Sequence, residues 1–243
     1  MQARTGSTRL PKKMLLPFFG GKTIVQLLIE RLQENFGNIP LYLLTTTNPG
    51  DDVLIDSVKD YPNLHTFRGD EQNVLKRFTD AGKEFGVENI IRVCADNPFI
   101  LPEFIRDLLK ETDNGNDYTS FSFEQTPVIK CHFGFFTEMV KLTALEKVRT
   151  MTSEQLYQEH VTNYLYTNPG SFRIHLIDKS RELDPFRNFR LTIDTGKDFE
   201  IAGFIYKELA ENNELSVNGL LKIAQQYPHL LQEMKTQQLI NQK

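Results

Sequence analysis

Asn89-Ile90-Ile91-Arg92-Val93-Cys94-Ala95-Asp96-Asn97-Pro98 is the stretch that decides the fold class. Residues 89–95 are mostly apolar and do not alternate with polar residues, as expected of a strand buried on both faces. The strand stops at Pro98, which has no N–H to continue a ladder, and Pro102 opens a helix. An Asp at the carboxyl end of such a strand lies where open α/β sheets bind ligands. The alternative by position is that Asp96 caps the helix that begins near Pro98. Upstream, residues 40–45 form a second apolar run and residues 65–68 a shorter strand. Helices fill the intervals. Ile24, Leu27, Leu28 and Leu32 recur at helical spacing behind the cap Thr23, residues 51–61 form a second helix, and Val74, Phe78, Ala81 and Phe85 mark a third. This alternation predicts an α/β protein with right-handed crossovers and a mainly parallel central sheet flanked by helices.

From Asp117 the rhythm changes. Residues 118–123 and 128–136 read as strands, the second carrying Phe133, Phe135 and Phe136. Residues 137–149 and 153–167 read as helices, 171–177 and 190–193 as strands, and 197–211 and 217–227 as closing helices. The polar tail after Pro228 is expected to fray. No Pro/Gly linker divides the chain, which predicts one domain over residues 1–243 with an inserted lobe at about 118–190.

Composition narrows the function classes. The 243 residues are 40% hydrophobic and 25% charged, ordinary for a globular protein. A net charge of −4 provides no global basic field, so a nucleic-acid partner is not expected. Cys94 and Cys131 have neither CxxC nor zinc spacing and read as thiols in a reducing compartment. No apolar run reaches the roughly 18 residues a membrane span needs, and the sequence reads as cytoplasmic.

Any anion site must therefore rest on a local cluster, and the first thirteen residues contain one. Gln2-Ala3-Arg4-Thr5-Gly6-Ser7-Thr8-Arg9-Leu10-Pro11-Lys12-Lys13 packs four cations, three hydroxyls and a glycine into a segment with little to bury. Gly6 allows close backbone approach, successive N–H groups cradle anions, and Arg adds bidentate phosphate contacts. Composition alone fits a mobile basic terminus equally well.

The order of these residues, Q-A-R-x-G-S-T-R-L-P-x-K, resembles the nucleotide-binding signature of the sugar cytidylyltransferases, especially the SpsF-type branch related to the CMP-KDO and CMP-sialic acid synthetases. Three further segments follow in the family's order: Gly69 to Phe78; Arg92, Asp96 and Pro98; and Arg190 to Glu200 around Asp194. Glu159-His160-Val161-Thr162 resembles an SpsF-branch segment. There are departures. Lys12 replaces a glycine, Gly196-Lys197 replaces Pro-Glu, the segment after Pro127 lacks the usual glycines, and Met1 stands where an apolar strand normally precedes the signature.

The resemblance implies a Rossmann-like nucleotide-diphospho-sugar transferase fold and transfer of CMP from CTP to a sugar or sugar acid. Its implied nucleotide contacts are Ala3, Arg4, Gly6, Ser7, Thr8, Arg9, Lys13, Asp70 and Asn73, with Lys76 and Arg77 on a solvated helix face. Asp96 and Asp194 would hold Mg²⁺ and, with Arg4 and Lys13, carry catalysis. Glu159 and His160 would face the acceptor. A homodimer through the Phe133–Phe136 cluster is compatible with this reading. Two other readings stay open, a metal-dependent glycosyltransferase on a related fold and a non-catalytic nucleotide-binding protein.

Overall fold

The computed structural model describes residues 1–241. Its strands are β1 (Leu41–Thr46), β2 (Leu64–Gly69), β3 (Asn89–Arg92), β4 (Tyr118–Phe123), β5 (Thr126–Pro127), β6 (Glu138–Lys141) and β7 (Ile174–Asp178). Helices α1 (Ile24–Phe36), α2 (Asp52–Asp56), α3 (Val74–Glu84) and α4 (Pro102–Lys110) alternate with the first strands. Then come α5 (Leu142–Met151), α6 (Gln155–Glu159), α7 (Asn163–Thr167), α8 (Ser180–Leu183), α9 (Gly196–Glu211), α10 (Val217–Gln226) and α11 (Pro228–Ile240).

β1 and β2 pair in parallel. β3, β6 and β4 run antiparallel in that order, β7 lies parallel to β4, and β5 closes a hairpin on the end of β4. The two groups are joined by residues 1–3, which fill the place where the sequence lacks an apolar strand. Gln2 bridges Leu44 on one side and Cys94 on the other, both in parallel. Its N–H donates to the Val93 carbonyl at 2.9 Å, and its own carbonyl accepts from Ala95 at 3.1 Å. On the β1 side, Leu44 donates to Met1 at 2.8 Å and Ala3 donates to Leu44 at 3.2 Å.

Helices cover both faces of the sheet. One core packs α1, α4, α9, α10 and α11 against the sheet, and a second gathers α3, α5 and the segment around Val161 and Leu165. α1 begins with a capping box, in which Thr23 and Gln26 satisfy each other's backbone N–H groups.

Several expected elements differ. Residues 128–136 are not a strand; a short helical turn covers Val128–Lys130 and the strand begins at Glu138. Left-handed Gly134, at φ 72°, forces the chain to turn there. The phenylalanines around it point inward, with Phe133, Phe135 and Phe136 all buried. The cluster is interior packing and supplies no dimer interface. Residues 190–193 form no strand and join no ladder; Leu191 donates to the His132 carbonyl and Ile193 to that of Asp96. The expected helix at 153–167 breaks into α6 and α7. The polar tail is helical through Ile240, pinned by buried Leu230 and Met234, and residues 242–243 lie outside the described residues.

Phe135 is completely buried and contacts the rings of Phe104, Phe133, Phe136 and Phe186. Phe135→Ala should therefore cost about 3–5 kcal/mol of stability, read as a lower urea midpoint, with the oligomeric state by gel filtration unchanged.

Candidate active site

A cavity of about 820 Å³ opens where Gln2, Cys94, Thr192 and Asp194 meet. The basic loop forms one wall, with Gln2, Ala3, Arg4, Gly6, Ser7, Thr8, Arg9 and Lys13 all lining it. Lys13 is turned inward because Lys12 adopts a left-handed conformation, φ 56° and ψ 23°. That is glycine's natural region, which explains physically why a glycine suits this position. The Lys13 ammonium is buried, donates to the Ile193 carbonyl at 2.6 Å and lies 3.5 Å from Asp96 Oδ2.

Asp96 and Asp194 come from separate segments tied to each other, since Ile193 donates its N–H to the Asp96 carbonyl at 3.0 Å. Both carboxylates line the cavity. Asp194 is held on both oxygens, by Arg9 at 2.7 Å on Oδ1 and by Arg190 at 2.8 Å on Oδ2. The Arg190 side chain is completely buried and also grips Asp198 at 2.8 Å. Asp198 closes a capping box with Thr195 that starts α9 immediately after Asp194. On the Asp96 side, buried Arg31 reaches across from α1 to the carbonyls of Pro98 at 2.6 Å and Ile100 at 3.1 Å, and to the Tyr206 hydroxyl of α9. One guanidinium thus braces the turn after Asp96 and the helix after Asp194.

The far wall is formed by the turn and helices after β5. Glu159 and His160 line it, and Glu159 approaches Arg4 at 3.9 Å across the opening. α6, which carries Glu159, buries none of its five residues, and Leu156 on it is 50% exposed. The turn that follows is anchored by Thr162, whose hydroxyl donates to Glu138 at 2.9 Å. Glu138 is buried on the cavity floor, bonded also to Arg92 and to the Tyr118 hydroxyl.

Asp70 and Asn73 do not line the cavity. Asp70 accepts the N–H groups of Gln72 and Asn73, and Asn73 caps α3 through the Lys76 N–H. Both stabilise the turn. Lys76 pairs with Asp80 on the surface, as its spacing suggests. Arg77 does not follow that expectation: it is buried, lines the cavity and donates to the carbonyls of Asp70 and Glu71. Glu138 and Lys130 also line the cavity and were not read from the sequence. A lone Glu beginning a strand carries no local signal, and its partners Arg92 and Tyr118 are brought to it only by β3–β6–β4 pairing, Thr162 by the turn after α6.

Among the described residues, no group of three or more His, Cys, Asp or Glu side chains is arranged to hold a metal ion. The two aspartates nevertheless suit Mg²⁺, which takes one or two protein carboxylates and completes its shell with water and phosphate oxygens. Gln2 Oε1, Asn97 Oδ1 and Thr192 Oγ1, on residues that line the same cavity, are buried and without hydrogen-bond partners in the protein. Buried polar atoms are ordinarily paired, so their clustering at one site marks where a bound polar group would sit.

A family model described as Cytidylyltransferase matches residues 1–233. The spore coat polysaccharide biosynthesis protein SpsF of Bacillus subtilis is 31% identical over 94% of this chain and 93% of its own. A cytidylyltransferase structure from Leptospira borgpetersenii superposes with a TM-score of 0.81 at 28% identity, covering 95% of this chain and 94% of that one. CMP:2-keto-3-deoxy-manno-octonic acid synthetase, solved in complex with CTP, shares the fold at a TM-score of 0.62 and 16% identity, over 87% of this chain and 97% of that one.

The Arg190 cluster makes the site acid-sensitive. Burial alone would raise the Asp198 pKa, but the hydrogen bonds and charge of Arg190 hold it below its ordinary value of 3.8. Stability from this pair is therefore complete above that value and is lost as pH falls below it. Asp198→Asn should lower stability at pH 7 by about 3 kcal/mol and should flatten the acid limb of a stability-versus-pH curve measured by urea unfolding.

Proposed function

The chain belongs to the cytidylyltransferase family, and from that premise we propose that it transfers CMP from CTP to a sugar or sugar acid in surface polysaccharide biosynthesis. The observation that carries this reading is the convergence of the basic loop, Asp96 and Asp194 on one cavity. An acceptor hydroxyl attacks the α-phosphorus; the new O–P bond forms as the bond to pyrophosphate breaks. No nucleophilic side chain is required, because phosphoryl transfer is catalysed mainly by positioning and charge neutralisation.

Arg4, Arg9 and Lys13 supply cations to the triphosphate, while Ala3, Gly6, Ser7 and Thr8 supply backbone and hydroxyl donors. Asp96 and Asp194 would hold Mg²⁺, which when bound neutralises charge on the phosphate oxygens. In the nucleotide-free protein Arg9 occupies Asp194. Phosphate competes for the same guanidinium, so nucleotide binding draws Arg9 away and frees Asp194 Oδ1. Lys13 keeps its place through the Ile193 carbonyl. Glu159 and His160 face the acceptor, and Glu138 fixes the turn that bears them. No helix among the described residues is long and apolar enough to cross a membrane; with soluble substrates, we read the protein as cytoplasmic.

A thermal-shift series with CTP, UTP, ATP and GTP, each with and without Mg²⁺, tests the nucleotide half. The expected outcome is the largest upward shift with CTP plus Mg²⁺; no shift with any nucleotide rejects the reading. For the reaction, pyrophosphate release from CTP is followed across sugars and sugar acids, including 2-keto-3-deoxy-manno-octonic acid. Asp96→Asn and Asp194→Asn should each slow it by about a thousandfold.

A further inference from the structure

Between Gln2 and Arg9, Thr5 is the one residue that does not line the cavity. It faces backward, to Asp51. Its N–H donates to Asp51 Oδ1 at 2.7 Å and its hydroxyl to the same oxygen at 2.6 Å. The other oxygen, Oδ2, accepts from the Thr45 hydroxyl at 2.9 Å, the Thr46 N–H at 3.2 Å and the Thr46 hydroxyl. Asp51 is thus 2% exposed, and its carboxylate accepts five hydrogen bonds, none from a basic side chain. Burying a carboxylate without a cation is costly unless donors replace its water. Here three threonines and two backbone amides do so. Burial pushes the Asp51 pKa up, yet these donors together hold it below the usual carboxylate value, so the group is ionised at neutral pH.

The arrangement acts on a segment with few other means of order. Residues 4–9 carry two arginines and a glycine, have no regular secondary structure, and share the cavity lining with the cations Lys13, Arg77 and Arg92. Gln2 and Ala3 fix the loop at its start through the sheet, and Met14 is buried after its end. Thr5 is the fixed point between. Asp51 sits at the end of the helical turn Pro49–Asp51, just after β1, so the anchor belongs to the rigid sheet.

We propose that Asp51 is a positioning residue for the nucleotide: acting through Thr5, it holds residues 4–9 in their phosphate-receiving conformation before the nucleotide arrives. The proposal rests on the nucleotide-binding reading above. A loop ordered in advance avoids the entropy loss of ordering it on binding, which raises affinity without any new contact to the ligand.

The test uses isothermal titration with CTP and Mg²⁺, beside the melting midpoint without nucleotide. Thr5→Val keeps the shape and the backbone bond but removes the hydroxyl; CTP affinity should fall about tenfold, with the nucleotide-free midpoint within ~2 °C of wild type. Thr5→Ser restores the hydroxyl and should recover affinity to within about twofold. Asp51→Asn should weaken CTP at least as much as Thr5→Val; if it does not fold, the threonine pair still decides. Wild-type affinity in Thr5→Val, or failure of serine to recover what valine loses, overturns the proposal while leaving the nucleotide reading intact. Wild-type protein that binds no nucleotide overturns both.

Discussion

The double pairing of Gln2 is the constraint on which the rest of the structure depends. This one residue bridges two strands: Gln2 bonds to Val93 and Ala95 just beyond β3, while its neighbours Met1 and Ala3 bond to Leu44 of β1. Without it the β1–β2 pair and the five-stranded group would be separate sheets. Each backbone bond contributes only about 1 kcal/mol net, but together they decide where the basic loop leaves the sheet. It emerges between Leu44 and Cys94, beside Asp96, in the crevice outside strand ends where α/β folds bind ligands. The position of the cations is thus a consequence of strand pairing.

Around that point the charges are arranged in mutually satisfied pairs. Arg9 and Arg190 share Asp194, Lys13 approaches Asp96, and Arg92 meets Glu138. Buried guanidinium groups are tolerable only where acceptors replace water. Arg31 illustrates the alternative to an ion pair, using two carbonyls and a phenol to join the turn after Asp96 to α9. The outcome is a rigid floor with exchangeable partners at its surface. Arg9, more than half exposed, can leave Asp194, whereas completely buried Arg190 cannot.

Much of this was legible in the sequence because it was local. The apolar run ending at Asp96, the helical spacing of Ile24 to Leu32, and the basic loop each announce themselves over a few residues. The region after Asp117 was less legible. A cluster of phenylalanines looks the same whether it forms a strand, a loop or an interface, and only left-handed Gly134 reveals that the chain folds the rings inward. Residues 190–193 have strand composition but meet single carbonyls and no neighbouring strand. Asp70 and Asn73 were singled out as ligand contacts because turn residues and binding residues share a chemistry; in the structure Asp70 Oδ1 and Asn73 Oδ1 accept backbone N–H groups and hold the turn. Glu138 and Asp51 were invisible for the opposite reason. Their importance comes from partners distant in sequence.

The two walls of the cavity differ in how they are held. The loop wall is tied to the sheet at its start by the pairing of Gln2 and again, through Thr5, by Asp51. The opposite wall is carried by α6, a single turn and a half that buries no residue of its own. Local opening of such an element draws on the low end of the stability spectrum. The cavity therefore has a loosely held side and a firmly held side. Under the proposed function, the smaller substrate and the nucleotide-linked product pass over α6, while the triphosphate rests against the side tied to the sheet.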